Sequence, residues 1–176
     1  DYGAVHFIVL NTQEAEVAEF KPDSNLLSEQ QAWFRQDVQH SDKKWKVVLM
    51  HRDPLQYRIH NRPERMEGID EIGKIWMPLF DELRIDVVFS AHLHTYRNRG
   101  HLKNFVPDAQ GPLYILTGVA GNVRYPNLWI DHALDKKIAP QPETDNYIVF
   151  SATSEKLNIS CYLPDGTEID HEIVSR

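Results

Sequence analysis

The segment IDVVFSAHLH (Ile85–His94) runs from an apolar strand straight into two histidines. Ile85–Ser90 lacks the alternation of a half-solvated strand, which is the pattern of a strand covered on both faces. Working outward, the same pattern recurs at Lys46–Met50, which ends at His51, at Val5–Leu10, and at Leu113–Thr117, which ends in a glycine turn. Helical signals separate the early strands. Ser28 reads as an N-cap with Gln31 three residues on, opening a helix through about Val38. Ile72, Ile75, Trp76, Leu79, Phe80 and Leu83 form a 3.6-residue apolar stripe, with Pro78 inside it removing one backbone donor. The first half therefore predicts β-α-β-α-β, an α/β layering. After Thr117 come turns and an irregular stretch, 122–146, with three prolines. Closing strands are expected at Tyr147–Ser151, Leu157–Tyr162 and Glu168–Val174, with a hairpin at Pro164-Asp165-Gly166.

Composition narrows the class. The 176 residues carry 19 basic and 26 acidic side chains, a net charge of −7, with 41% hydrophobic and 26% charged residues. These values exclude disordered, collagen-like and coiled-coil chains. The acidic balance argues against a nucleic-acid partner, and the longest apolar runs are too short to span a bilayer, so no membrane partner is expected. The single cysteine, Cys161, excludes an internal disulfide framework and reads as a small apolar strand residue. Asn158-Ile159-Ser160 matches the glycosylation triplet but falls within an expected strand. The chain enters a core strand within three residues of Asp1, which is expected of a piece of a longer protein.

Three of the nine histidines, His51, His92 and His94, follow directly on expected strands. In open α/β sheets, ligands bind beyond the carboxyl ends of the strands. Residues i and i+2 of an extended segment point to one side, so His92 and His94 are expected to aim into one crevice. Neutral imidazole is a ligand for zinc, iron and manganese. A lone strand-end histidine such as His51 is more often a surface or hydrogen-bonded residue. A mononuclear site, in which all three converge on one ion, is a further alternative.

VVFSAHLHTY (Val87–Tyr96) resembles the Gly-His-x-His block of the calcineurin-like metallophosphoesterases, and WKVVLMH (Trp45–His51) with Pro54 resembles their preceding histidine block. Within that superfamily the purple acid phosphatase branch fits best, through His60 and the following Met66-Glu67-Gly68. HFIVL (His6–Leu10), EQQAW (Glu29–Trp33), the Tyr114–Gly121 glycine turn and the Asp165-Gly166 hairpin extend the likeness along nearly the whole chain. The resemblance implies the C-terminal half of a four-layer α/β/β/α sandwich, with residues 1–176 as the C-terminal portion of a single domain and the N-terminal half as its missing partner. It implies hydrolysis of phosphate monoesters, small-molecule or protein, at a dinuclear centre of iron, zinc or manganese. His51 and His92 would be ligands of one ion and His94 of the other. His60 would meet the substrate phosphate and protonate the leaving alkoxide, and Arg58 or Arg62 would steer an anionic ester. Proteins of this branch commonly act outside the cytoplasm. His6, His40, His101, His132 and His171 match no family role and are expected to be structural.

Departures from the family pattern matter equally. Ala91 replaces a glycine, Asn98 follows Arg97 where plant enzymes tend to keep an acidic residue, and Ile59 rather than a second histidine precedes His60. Asp-x-His, Gly-Asp-x-x-Asp and Gly-Asn-His are absent; Gly121-Asn122 is followed by Val123. Neither ion then has a complete ligand set in this chain, which is expected to supply histidines and to be inactive alone. The alternative is a non-catalytic binding or scaffold module retaining the fold. An exposed sheet edge would allow self-association into a homo-oligomer.

Overall fold

The computed structural model describes residues 1–13, 25–60, 62–67 and 70–176. Parallel strands β1 (Val5–Leu10), β2 (Trp45–Met50), β5 (Val87–Ser90) and β8 (Leu113–Leu116) lie side by side in that order. The sheet continues antiparallel through β6 (Arg97–Lys103), which pairs with β8, the two-residue β7 (Val106–Pro107) and β9 (Lys137–Ile138). Helices α1 (Leu26–His40) and α2 (Asp70–Glu82) connect the early strands. Strands β10 (Tyr147–Ala152), β11 (Lys156–Tyr162) and β12 (Glu168–Ser175) form a second, antiparallel sheet, and β3 (Tyr57–Ile59) pairs with β4 (Arg62–Glu67) in a hairpin.

The period of two sorts each parallel strand between two cores. Even-numbered Ile8, Leu10, Val48, Met50, Val88 and Tyr114 pack against the helices with Phe34, Trp76 and Phe80. Odd-numbered Val5, Trp45, Val47, Val87, Phe89, Leu113 and Ile115 pack against Leu157, Ile159, Cys161, Ile169 and Val174 of the second sheet. The layers are thus helix, sheet, sheet. In the helical layer Trp76 and Phe80 stack at 6.2 Å, and Phe34 meets both edge-on at 5.8 Å, geometries that aromatic quadrupoles favour.

The expected strands are present within one or two residues of their ends. The first helix begins earlier than expected. Asn25 precedes it and Ser28 lies within its first turn, its hydroxyl donating to the Asn25 carbonyl (2.8 Å) instead of capping from outside. Two features are additions: the β3–β4 hairpin and β6, whose sequence RNRGHLK is polar although Arg97, Asn98, Arg99 and Gly100 are all buried. The β6–β8 register shifts between Asn98 and Gly100, and Gly100 takes φ +68°, a left-handed position where glycine carries no Cβ penalty. Met66 and Glu67 fall in β4; Gly68, the end of the Met-Glu-Gly motif, lies outside the described residues. No helix among the described residues is long and apolar enough to cross a membrane.

Cys161 is 1% exposed within β11, and burial pushes its thiol up to about 12. A thiol reagent such as Ellman's reagent at pH 8 is therefore expected to leave the native chain unmodified and to titrate one thiol after urea unfolding, since only the thiolate reacts. Rapid labelling of the native chain would contradict this packing.

Candidate functional site

The carboxyl ends of β2, β5 and β8 are locked together by their own backbone. Ala91 N donates to His51 O (3.0 Å), and Thr117 N donates to Ser90 O (2.7 Å). His51 and His92 meet on this platform, with His51 Nε2 and His92 Nδ1 at 3.0 Å and the rings edge-on at 5.0 Å. The strand-end segment is not extended, as the i, i+2 expectation required. His92 and His94 both sit at positive φ, +73° and +49°. Non-glycine residues there carry strain of about 1–3 kcal/mol each and cluster at functional sites. Leu93 between them is 2% exposed and anchors the turn against Tyr57 and Leu116.

The turn sends the two histidines to different neighbours. His94 Nδ1 lies 3.2 Å from Val123 O, and its ring packs against Tyr125 at 5.4 Å. With exposed His60 it lines a cleft of about 410 Å³ shared with Arg124, Tyr125 and Trp129. His60 is tied to the same wall, its N donating to Leu128 O (2.9 Å), while Ile59 bridges Trp129. Arg58 and Arg62 are exposed. The structure brings His51 to His92, and His60 to the His94 cleft. Among the described residues no three histidine, cysteine or carboxylate side chains are grouped closely enough to hold a metal ion. The His51–His92 pair still offers two ring nitrogens on one spot, which fits part of a metal's donor set.

Behind the histidines lies a buried charge network that the sequence reading missed. Arg99 Nη2 donates to Asp53 Oδ2 (2.9 Å) and to the Tyr57 hydroxyl, with both ion-pair partners about 1% exposed or less. Tyr57 OH donates to Asp135 Oδ1 (3.0 Å), Ser90 Oγ to Asp53 Oδ1 (3.0 Å), and the Arg99 guanidinium sits over the Tyr57 ring at 5.1 Å. Burial pushes the Asp53 carboxyl up to about 6, against the pull of Arg99 and the Ser90 hydrogen bond. Burial also raises the Tyr57 phenol and lowers the His132 imidazole, the latter with help from Arg99. Arg97 is held by Asp131 (2.6 Å) and, at 3.5 Å, Asp135. Glu143 accepts from Tyr96 N (2.6 Å), Thr95 Oγ1 (2.8 Å) and Asn146 Nδ2 (3.0 Å). Asn98 donates to Asp170 (2.7 Å) and Glu172 (2.8 Å), so the acidic partners of this position come from β12. One signal was present in the sequence: Asp53 stands two residues beyond a strand-end histidine.

The remaining histidines bond locally. His6 lies between Asp1 (2.6 Å) and Asp37 (2.8 Å), His40 meets Gln36 O, His101 meets Gly111 O, His132 accepts from Leu134 N, and His171 meets Ser160.

Comparison with known proteins agrees with the motif reading. No protein-family model matches the chain. Purple acid phosphatase 23 of Arabidopsis thaliana is 29% identical over 126 residues, covering 70% of this chain and 25% of that protein. Purple acid phosphatase 22 of the same plant is 32% identical over 69% of this chain and 26% of its own length. Purple acid phosphatase 1 of Ipomoea batatas is 30% identical over 68% and 26%. The chain spans about a quarter of the length of these relatives. Among solved structures, the lupin purple acid phosphatase PPD1 superposes on all of this chain and 32% of its own, with a TM-score of 0.57 at 16% identity. GAP50, the anchor in the inner membrane complex of Plasmodium, covers 97% of this chain and 49% of its own with a TM-score of 0.71 at 11% identity. The chain resembles the purple acid phosphatases of the calcineurin-like superfamily, and its α/β fold matches a fragment of theirs.

Removing one partner of a buried ion pair leaves an uncompensated charge. Asp53→Asn is expected to lower unfolding stability by about 3 kcal/mol in urea titrations. Arg99→Met in that background should recover part of the loss, a coupling that a double-mutant cycle measures.

Proposed function

We propose that this chain is the histidine-bearing, C-terminal portion of a metal-dependent phosphoesterase domain that hydrolyses phosphate monoesters, and that the chain alone is inactive. The observation that carries the reading is the meeting of His51 and His92 at the ends of β2 and β5, beside a cleft holding His94 and His60. The division fits the roles implied by the family resemblance, with His51 and His92 serving one ion and His94 another. The same two ring nitrogens that face each other at 3.0 Å would hold the ion in place of their mutual contact. Two divalent or trivalent ions supply Lewis acidity toward a phosphate ester. On this reading His60, exposed at the cleft wall, binds the ester oxygens and protonates the leaving alkoxide; its position in the lining supports that role. Similarity to plant acid phosphatases over about 70% of the chain supports the substrate class and is in keeping with action outside the cytoplasm. The missing ligands would come from the N-terminal half of the same protein.

Four observations test this. The purified chain with added manganese, zinc or iron is expected to show only background hydrolysis of p-nitrophenyl phosphate; robust turnover would refute the half-site reading. The longer parent protein is expected to hydrolyse it, with His60→Ala lowering kcat by roughly 10²–10⁴-fold. An upstream sequence without Asp-x-His and Gly-Asp-x-x-Asp would replace the enzyme by the scaffold alternative. Zinc titration of the chain should weaken with His51→Ala or His92→Ala and remain unchanged with His101→Ala, a result independent of activity.

A further inference from the structure

We propose that Tyr125 and Trp129 form the leaving-group wall of the cleft containing His60 and His94, and that this wall selects monoesters whose leaving group is planar, aromatic and uncharged. The proposal rests on the phosphoesterase reading for the position of the phosphate.

Tyr125 is the central piece. Its ring lies 5.4 Å from the His94 ring on one side and 5.9 Å from Trp129, edge-on, on the other. Trp129 is fixed from behind by Tyr57 at 6.2 Å and by the backbone bridge to Ile59. Tyr125 remains 42% exposed, so its ring offers a rigidly backed apolar surface to the cleft. An aromatic ring laid there would add a third member to the edge-on Tyr125–Trp129 pair, a contact that aromatic quadrupoles favour. It would also bring a phosphate ester on that ring toward His94 and His60, because the Tyr125 platform and the histidines share one cleft of about 410 Å³.

Charge decides against polyanionic esters. Both arginines lining the cleft are already ion-paired: Arg97 with Asp131 at 2.6 Å, and Arg124 through Nη2 with Asp145 at 2.6 Å, its buried Nη1 having no hydrogen-bond partner among the described residues. Glu143 adds a further carboxylate to the lining. A second phosphate on the leaving group would therefore meet paired cations and acidic side chains, with no net attraction to offset its desolvation. The Trp129 Nε1–H has no hydrogen-bond partner among the described residues, so its resonance serves as a probe of this wall.

The experiment uses the 176-residue chain with ¹⁵N-labelled tryptophan and histidine, the Trp129 indole and the His60 and His94 ring signals being assigned by their loss in Trp129→Phe, His60→Ala and His94→Ala. Phenyl phosphate, glycerol 2-phosphate, pyrophosphate, inorganic phosphate and phenol are titrated separately. Phenyl phosphate and phenol are expected to move the Trp129 signal, and phenyl phosphate to bind about tenfold more tightly than glycerol 2-phosphate. Tyr125→Ala should erase that preference and Tyr125→Phe should keep it. Equal affinity for the two esters, tighter binding of pyrophosphate, or a preference surviving Tyr125→Ala would overturn the proposal. The two readings fail separately. If the phosphate position is wrong, inorganic phosphate leaves the His60 and His94 ring signals unmoved while phenol still shifts Trp129. If the wall is wrong, the reverse holds.

Discussion

Strands β2, β5 and β8 are covered on both faces, and that burial constrains everything else in the molecule. Most of their side chains, Lys46, Ser90 and Leu116 excepted, enter one of two apolar cores, where an unpaired polar group would cost several kcal/mol. Polar chemistry is therefore expelled to the strand ends. Because the strands are parallel, their carboxyl ends fall on one side, so His51, Ser90 and Thr117 necessarily become neighbours. The site position follows from the direction of the strands before any catalytic consideration enters. At the sheet's edge the constraint relaxes: Val9 of β1 is 67% exposed, and β1 pairs with β2 alone among the described residues.

The second organising element is the Arg99 network, which admits charge to the interior. Arg99 reaches Asp53 after β2 and Tyr57 in β3, and Tyr57 reaches Asp135 in the loop before β9. Such pairs seldom add net stability compared with apolar packing, because both charges must be desolvated. What the network contributes is position. It ties the loop after His51, the hairpin leading to His60 and the loop following Trp129 into one frame, so the histidine platform and the aromatic wall hold a fixed relation. The rise of the Asp53 carboxyl to about 6 shows the cost of keeping that charge dry.

The parts legible in the sequence were those set by a single strong period. Apolar strands such as Val5–Leu10 were read to the residue, and the stripe from Ile72 to Leu83 found α2, because burial on a face imposes a repeat. β6 was invisible for the opposite reason. Arg97, Asn98 and Arg99 are buried by pairing with residues 34 to 74 positions distant, and no local pattern announces such partners. The β3–β4 hairpin was hidden because β3 is only three residues long, too short for its buried Tyr57 and Ile59 to announce a period. Strand-end placement singled out His51, His92 and His94 as candidates, while the left-handed backbone at His92 and His94 could not be foreseen from residues that ordinarily avoid it.

The carboxylates around the candidate site are already engaged by partners within the chain. A dinuclear phosphoesterase centre needs acidic ligands as well as imidazoles, and acidic side chains are not scarce here. Yet each is committed. Asp53 is held by Arg99 and Ser90, Asp131 by Arg97, and Asp135 by Tyr57 and the His132 amide. Glu143 is held by Tyr96, Thr95 and Asn146, and Asp145 by Gly121 and Arg124. Freeing any of them would strand a cation or a backbone donor, at a cost of about 1–3 kcal/mol or more. On the phosphoesterase reading, the bridging carboxylate must therefore come from outside the described residues. The absence of Asp-x-His and Gly-Asp-x-x-Asp from the sequence and the engagement of these carboxylates are separate observations, one of sequence and one of hydrogen bonding, and the half-site proposal accounts for both.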